Sequence, residues 1–357
     1  MTSKNIIVLS LLSLFLVSSG CEERFPLQQL PDPLSQVVVG DTNYVEIVPP
    51  IEGFNQPASL LIGLDQLLYV ADTKNNRVVM MNLAGQMLGT RAVLQPTSLM
   101  EDFRLDLLVG GVIVAANGDS VGAIFRVKLA PAQHAFATAR IDTVWREPAR
   151  PRRRFVGIAL LPDNRYLVVR RGPDNSSFVD PDCRVLMFSA TDQFITPLGD
   201  LVTQAGSGIT NINQPTGITT FPNSRDFIVI QSSEGIAYGA IWMVFQQSSD
   251  FEGWLPKYDP AKPDDRFVDF VRPNRFINPL AVAIDGSRRD MFIIDAAQDS
   301  VFKFDNRGRF RGESFGLSRT SGRMKRPSGA AFFDKTLYIS DAETNRIFRF
   351  KLSTDFQ

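Results

Sequence analysis

Short apolar runs separated by turn-forming residues make up most of the chain after residue 43. The stretch 55–82 shows this pattern most clearly, because three runs rich in Leu, Val and Ile are separated by polar turns at residues 65–66 and 72–76. Runs of four to six residues bounded by turn formers are typical of antiparallel strands rather than helices. The pattern therefore predicts consecutive short strands joined by tight turns.

The same succession of strands recurs along the chain as six units. Their first strands begin near residues 57, 96, 154, 215, 279 and 327. In five units the start stands 14 to 16 residues before the end of the second strand, whereas the second unit is longer. Repeats of this length with three or four strands each are typical of radial β architectures. We therefore predict an all-β fold, a six-bladed β-propeller over residues 43–357, whose last blade is closed by an N-terminal strand at residues 44–48.

The first and sixth units resemble the repeat of the NHL family, in which a strand ending in Asp is followed by a polar loop ending Asn-Arg. Residues 69–72 and 75–78 carry the resemblance in unit one, and residues 338–341 and 345–348 carry it in unit six. The resemblance is weaker in unit five and faint in the other three units. It implies a propeller that binds proteins or other polymers through one face of the ring.

Acidic residues end the second strands of three units. We interpret these residues as a structural feature of the repeat, in which the carboxylate accepts hydrogen bonds from turn N–H groups or pairs with the Arg of the next strand. The residues of this feature are Asp72, Arg77, Asp295, Asp341 and Arg346. Unit five has Asp299-Ser300 in the Asn-Arg place, so Asp295 lacks this Arg partner.

The N-terminal residues predict a signal peptide over residues 1–20. The apolar run at residues 6–17 is too short to span the hydrocarbon core of a membrane as a helix. Its ending, Ser18-Ser19-Gly20-Cys21, resembles the bacterial lipobox, although Ser18 stands where Leu is common. The resemblance implies lipidation of Cys21, whereas ordinary cleavage would leave a free thiol.

Residues 21–42 contain three prolines among polar residues and are predicted to be a flexible tether. Glu22-Glu23 resembles the acidic export signal of Bacteroidota lipoproteins, but the pair also fits an ordinary solvated tether. We therefore expect an outer-membrane lipoprotein of the cell envelope that is held to the membrane by its acyl chains, and the export-signal interpretation of Glu22-Glu23 implies exposure at the cell surface.

The balance of charge and the scarcity of metal-binding residues exclude several functions. Lys plus Arg and Asp plus Glu both number 38, so no excess of positive charge favours a nucleic-acid partner. Two cysteines and one histidine provide no CxxC, CxxCH or HExxH motif. We predict a surface position for His134 and burial as a small apolar residue for Cys183.

Three polar or aromatic clusters are candidate binding residues. The loop 172–183 offers oxygen ligands for calcium, although a solvated loop is the simpler interpretation; its candidates are Asp174, Asn175, Asp180 and Asp182. A basic connection and an aromatic connection are candidates for a binding rim. Their residues are Arg150, Arg152, Arg153, Arg154, Trp254 and Tyr258. A solvated basic loop and a packed hairpin are the alternatives.

Two functions fit these features. The first is a non-catalytic binding or scaffolding module for a protein or glycan partner, without a cofactor. The second is a Ca²⁺-dependent hydrolase or lyase of the six-bladed group that includes gluconolactonases and strictosidine-synthase-like proteins. Glu52, Asn117 and Asp285 are its candidate ligands. The two functions are distinguished by whether such side chains converge at one mouth of the central channel.

Overall fold

The computed structural model describes residues 43–198, 212–232, 237–259, 262–265, 267–316 and 324–356, and this part of the chain consists mostly of strands and turns. The described residues form 23 strands in six antiparallel sheets, with three single-turn 3-10 helices. The inner strands of the six sheets contact one another in a closed ring. The predicted six-bladed β-propeller is confirmed.

The first three blades each contain four strands, which follow one another from the centre of the ring outward. Blade one contains β2 (Pro57–Ile62), β3 (Leu68–Asp72), β4 (Arg77–Met81) and β5 (Met87–Ala92). Blade two contains β6 (Ser98–Glu101), β7 (Leu107–Val114), β8 (Ser120–Val127) and β9 (Ile141–Arg146). Blade three contains β10 (Arg154–Leu160), β11 (Tyr166–Arg171), β12 (Arg184–Phe188) and β13 (Phe194–Leu198).

The other three blades follow the same order with two variations. Blade four contains β14 (Pro215–Thr220), β15 (Phe227–Gln231), β16 (Ala240–Gln247) and β17 (Glu252–Pro256). Blade five contains β18 (Pro279–Ile284), β19 (Met291–Asp295) and β20 (Ser300–Phe304). Blade six contains β21 (Pro327–Phe333), β22 (Thr336–Asp341), β23 (Arg346–Leu352) and, as its outer strand, β1 (Tyr44–Glu46).

The outer strand of blade six comes from the other end of the described chain. Tyr44 pairs with Leu352 and Glu46 pairs with Phe350 in antiparallel register. This pairing covers an edge of β23 that would otherwise have unpaired N–H and C=O groups. The predicted closure by an N-terminal strand is thus present, although the strand ends at Glu46 rather than at residue 48.

Hydrophobic side chains fill the interfaces between neighbouring blades. Each of the six interfaces holds one cluster of buried residues; Leu108 and Ile124 of blade two, for example, pack with Phe155 and Tyr166 of blade three. A single blade cannot bury both faces of its sheet, so these contacts explain why the blades stack in a ring. Cys183 is buried in one of these clusters, as predicted.

The strand order defines two faces of the ring. The end of the ring that carries the turns between the second and third strands of each blade is called the upper face. The lower face carries the turns between first and second strands and between third and fourth strands. The aspartate side chains that end β3, β19 and β22 therefore lie at the upper face.

Candidate functional site

The six inner strands enclose a central channel of about 200 Å³. Aliphatic, glycine, serine and threonine residues line it together with Met100 and Phe332, and no described lining residue has a carboxylate or amide side chain. The three calcium candidates are also apart from one another. Glu52 pairs with Arg346 and Asn117 bonds Asp119 at the upper face, whereas Asp285 caps the turn after β18 at the lower face. The described residues therefore do not bring this predicted ligand set together at one mouth.

The aspartates that end the second strands hold the start of their blades to the following turn. Asp72 is fully buried and accepts hydrogen bonds from the Asn55 N–H, from Asn75 Nδ2 and from Arg77 Nε, at 2.7 to 2.8 Å. The bond to residue 55 spans the whole β2–β3 hairpin. This contact gives a physical reason for the constant spacing between the opening Pro and the Asp.

Asp341 and Asp295 fill the same place with different partners. Asp341 accepts four backbone N–H groups, from residues 325, 326, 343 and 344, at 2.6 to 3.0 Å. Arg346 does not pair with this saturated carboxylate and instead contacts Glu52 at 2.9 Å. Asp295 likewise accepts backbone N–H groups, and the Gln298 side chain, at 3.2 Å, occupies the place of the missing arginine.

Two buried arginines connect blade three to the segment that precedes it. Arg153 donates to Glu147, Asp180 and Asp182 at 2.7 to 2.8 Å. Arg170, at the end of β11, donates to Glu147 at 3.0 Å and to Asp180 at 2.6 Å. Both guanidinium groups are at most 5% exposed, so these charged hydrogen bonds lie in a largely dehydrated setting. We call these five residues the arginine frame.

The arginine frame changes the interpretation of two predicted sites. Asp180 and Asp182 bind guanidinium groups, Asp174 accepts from Ser176, and Asn175 bonds the Ile212 carbonyl and the Cys183 N–H. The loop therefore uses its oxygen atoms to fix its own shape and does not direct them together at a cation.

Several predicted rim residues are not at the surface. Arg153 belongs to the arginine frame, and half-buried Arg154 turns back to donate to the carbonyls of Pro151 and Arg153. Trp254 is buried in blade four, where its Nε1 donates to the Arg225 carbonyl. Tyr258 is partly buried and donates to the Arg307 carbonyl. Arg153 and Trp254 are therefore buried parts of the fold, whereas a binding rim at the partly buried Arg154 and Tyr258 stays a prediction.

The tip of the β11–β12 loop presents two highly exposed apolar side chains at the upper face. Phe178 is 81% exposed and Val179 is 84% exposed, although the arginine frame holds the loop directly after them. Arg150 and Arg152 are also exposed, and their charges act on Asp174, whose pKa is lowered mainly by its hydrogen bonds with Ser176. The structure thus brings the basic connection and the acidic loop together at one corner of the ring. We call the two apolar side chains and these two arginines the loop-tip patch.

Sequence reasoning missed the contributors that lie outside the two candidate clusters. Glu147 and Arg170 complete the arginine frame, but neither stands in a motif. The usable signal was charge complementarity, since four arginines at residues 150–154 precede a loop with three aspartates at residues 174–182.

Comparisons with known proteins agree with this architecture. No family model matches the sequence, and no curated protein shows significant sequence similarity to it. An auxiliary nutrient binding protein from Bacteroides ovatus superposes with a TM-score of 0.60 at 12% identity, over 88% of this chain and 78% of that chain. A glucose dehydrogenase gives 0.59 at 12% identity over 87% and 99%. A protein assigned as a gluconolactonase gives 0.57 at 9% identity over 88% and 93%.

At these identities the likeness establishes the class of fold, a six-bladed β-propeller, and nothing further. The class includes both binding proteins and enzymes, so function must be argued from the site. No helix in the described part of the chain is long and apolar enough to cross a membrane.

Proposed function

We propose that this chain is a non-catalytic binding module that captures a protein partner with the upper face of its propeller. One observation carries the proposal: Phe178 and Val179 are almost fully exposed at the tip of a loop that buried ion pairs hold in place. Exposed apolar side chains on a fixed loop have an unfavourable free energy of hydration and do not contribute to the hydrophobic core. A partner that covers them explains their presence.

The chemistry of the loop-tip patch favours a protein over a glycan. Aromatic and arginine side chains are the residues most enriched at the centres of protein interfaces. Here an exposed aromatic ring lies in the same loop as Asp174, on which the charges of Arg150 and Arg152 act, so the complementary surface would combine an apolar pocket with acidic groups. Because the arginine frame orders the loop before binding, less conformational entropy is lost on association.

The envelope location rests on the N-terminal sequence. Cys21 and the tether at residues 21–42 lie outside the described residues, and lipidation at Cys21 would attach the propeller to the membrane. The similarity in fold to an auxiliary nutrient binding protein from Bacteroides ovatus supports a binding role. We therefore place the module at the outer membrane, as a lipoprotein with no catalytic cofactor.

The test is capture of partners from membranes by the full-length chain carrying an affinity tag. The double variant Phe178→Ser/Val179→Ser is compared with Met87→Ser/Leu88→Ser, which removes an apolar pair of about half exposure on the outer strand of blade one. We expect the first variant to lose the captured protein at least tenfold, while the second retains it and both melt like the wild type.

Equal capture by both double variants would overturn the proposal. Capture of carbohydrate that survives protease treatment, and that requires Phe178, would show that the partner class is wrong. Capture that depends on Phe178 and persists in Cys21→Ala protein would support the binding site independently of the anchor, whereas wild-type protein that does not fractionate with membranes would reject only the anchoring.

A further inference from the structure

A second cluster lies at the lower face, at the interface of blades one and two. Asp65 stands in the β2–β3 turn, Glu101 ends β6, and His134 lies in the connection between β8 and β9. His134 Nε2 is 3.4 Å from Asp65 Oδ2, and one ligand atom from each of the three residues lies within 4.8 Å of the others. The single histidine of the chain is thus packed against two carboxyl groups and is two-thirds buried, which corrects the predicted surface position.

Two atoms of this cluster are buried without hydrogen-bond partners. Glu101 is only 2% exposed; its Oε2 accepts the Leu64 N–H, but its Oε1 has no partner. His134 Nε2 is also buried and makes no hydrogen bond. A buried polar atom without a partner costs free energy, so native structures contain few of them. Here two such atoms lie in one cluster and belong to side chains that can act as metal ligands.

The local backbone brings the three side chains together. Gly63 provides the room, because a Cβ at this position would lie 2.5 Å from Asp65 Oδ1 and 2.7 Å from Glu101 Oε2. His134 has a φ of 59°, in the left-handed region that few non-glycine residues occupy. Backbone groups and Tyr69 fix Asp65, whose Oδ1 accepts the Leu67 N–H and whose Oδ2 accepts the Tyr69 hydroxyl.

From these contacts we infer that Asp65, Glu101 and His134 form a binding site for a divalent transition-metal ion of the zinc type. Imidazole nitrogen and carboxylate oxygen are the donors that such ions take, whereas Ca²⁺ and Mg²⁺ prefer oxygen alone. Ligand atoms about 2.1 Å from one tetrahedral ion lie about 3.4 Å apart. The His134 and Asp65 atoms already have this separation, so shifts of at most about 1.4 Å in the remaining contacts complete the site. Two carboxylates balance the charge of the ion.

The site would act as a clamp between two blades. Asp65 belongs to blade one, whereas Glu101 and His134 belong to blade two, so an ion held by all three ties the hairpins of neighbouring blades together. His134 is one-third exposed, which gives the ion a path from solvent and leaves a position for water. The site lies on the face opposite the loop-tip patch and is independent of the proposed binding function.

The single histidine allows a direct test. Full-length protein without a histidine tag is labelled with ¹⁵N-histidine, treated with chelator, and titrated with Zn²⁺ while the imidazole nitrogens are observed by NMR. We expect one Zn²⁺ per chain, a large shift of the Nε2 signal, and a higher melting temperature. Saturating Mg²⁺ should shift neither the Nε2 signal nor the melting temperature.

Matched variants separate the site from general surface binding. Glu101→Gln and His134→Asn, which keeps a residue tolerant of left-handed backbone, should each weaken Zn²⁺ binding at least tenfold. Asp119→Asn, which changes an exposed carboxylate in blade two, should bind as the wild type does. An unmoved Nε2 signal at saturating Zn²⁺, or equal affinity in Glu101→Gln and the wild type, would overturn the inference.

Discussion

Arg126 in blade two donates to both carboxylate oxygens of Asp192 in blade three, with N–O distances of 2.8 and 2.6 Å. A third donor, Nη1, contacts Asp102 at 2.6 Å, and the guanidinium group is 1% exposed. Asp192 stands in the β12–β13 turn, so a single side chain ties neighbouring blades at the lower face. Replacing Arg126 would leave the carboxylates of Asp102 and Asp192 without their shared cation.

We therefore expect Arg126→Met to lower the free energy of unfolding by about 3 to 5 kcal/mol, because breaking a buried ion pair leaves an uncompensated charge. The control is Arg140→Met, whose guanidinium pairs with Asp142 but is 78% exposed, and which should cost less than about 1 kcal/mol. Urea denaturation measures both. Similar losses in the two variants would contradict the structural role given to Arg126.

Asp341 and Arg346 provide a second matched pair. Asp341→Ala removes the acceptor of four backbone N–H groups at a fully buried position and should cost roughly 2 to 4 kcal/mol. Arg346 contacts Glu52 at the surface, so Arg346→Ala should cost less than about 1 kcal/mol. Chemical denaturation of the two variants decides the matter. A larger loss of unfolding free energy in Arg346→Ala than in Asp341→Ala would show that the shape of the turn depends on the arginine instead.

Closure of the ring depends on β1. Deleting residues 43–49 exposes the edge of β23 and removes the contacts of Tyr44 with Phe292 and Phe315. We expect the melting temperature to fall by roughly 10 °C or more, since a loss of several kcal/mol is large for any domain. A control deletion within residues 24–30 of the predicted tether should leave it unchanged. An unaffected melting temperature in the first deletion would show that β1 does not stabilise the ring.

The pair Glu101 and Asp65 should make the metal-free protein sensitive to pH. Burial, and secondly the charge of Asp65, raise the pKa of Glu101 from 4.5 to about 7. Between these values the folded protein keeps a proton that the unfolded chain releases. The contribution of Glu101 to stability is therefore greatest below pH 4.5 and falls by about 2 to 3 kcal/mol as the pH rises to 7.

Urea denaturation in chelator at pH 5 and pH 8 measures this change. In Glu101→Gln the decrease should largely disappear, because the amide stays neutral throughout. The same decrease in wild type and Glu101→Gln would assign the pH dependence to other groups.

Lipidation is tested at Cys21. Cys21→Ala should release the protein from membranes or leave an unprocessed precursor, since the acyl chains have lost their attachment atom. Incorporation of labelled palmitate measures the modification, with Cys183→Ala as the control thiol. Labelling that persists without Cys21 would show that the lipobox prediction is wrong.

The fold was predictable because each blade is encoded locally. Apolar runs, turn residues and the aspartate that ends β3, β19 and β22 recur at nearly constant spacing, and the hydrogen bond from Asp72 to residue 55 shows why that spacing is restricted. Blade two was the least well predicted. Its second strand runs from Leu107 to Val114, and Gly110 and Gly111 interrupt the apolar pattern without ending the strand.

The candidate sites were less predictable because they join distant segments. Arg153 meets Asp182 across 29 residues, and Glu101 meets the turn at Asp65 across 36 residues. The residues concerned stand in no motif, and local composition alone suggested exposed loops. Arg153 is buried and Phe178 is exposed because of the way neighbouring blades pack. The sequence of a single repeat does not contain this information.

The pairing of β1 with β23 also determines the order of events in folding. Asn43 and Ser353 meet across 310 residues, whereas most other strand pairs are hairpins formed within one blade. Contacts between such distant segments form slowly, so we expect the blades to assemble first and the two ends to join last. Until then β1 is free and β23 has an open edge. Two chains at that stage can exchange their first strands, so strand-swapped dimers are the expected misassembled form of this propeller.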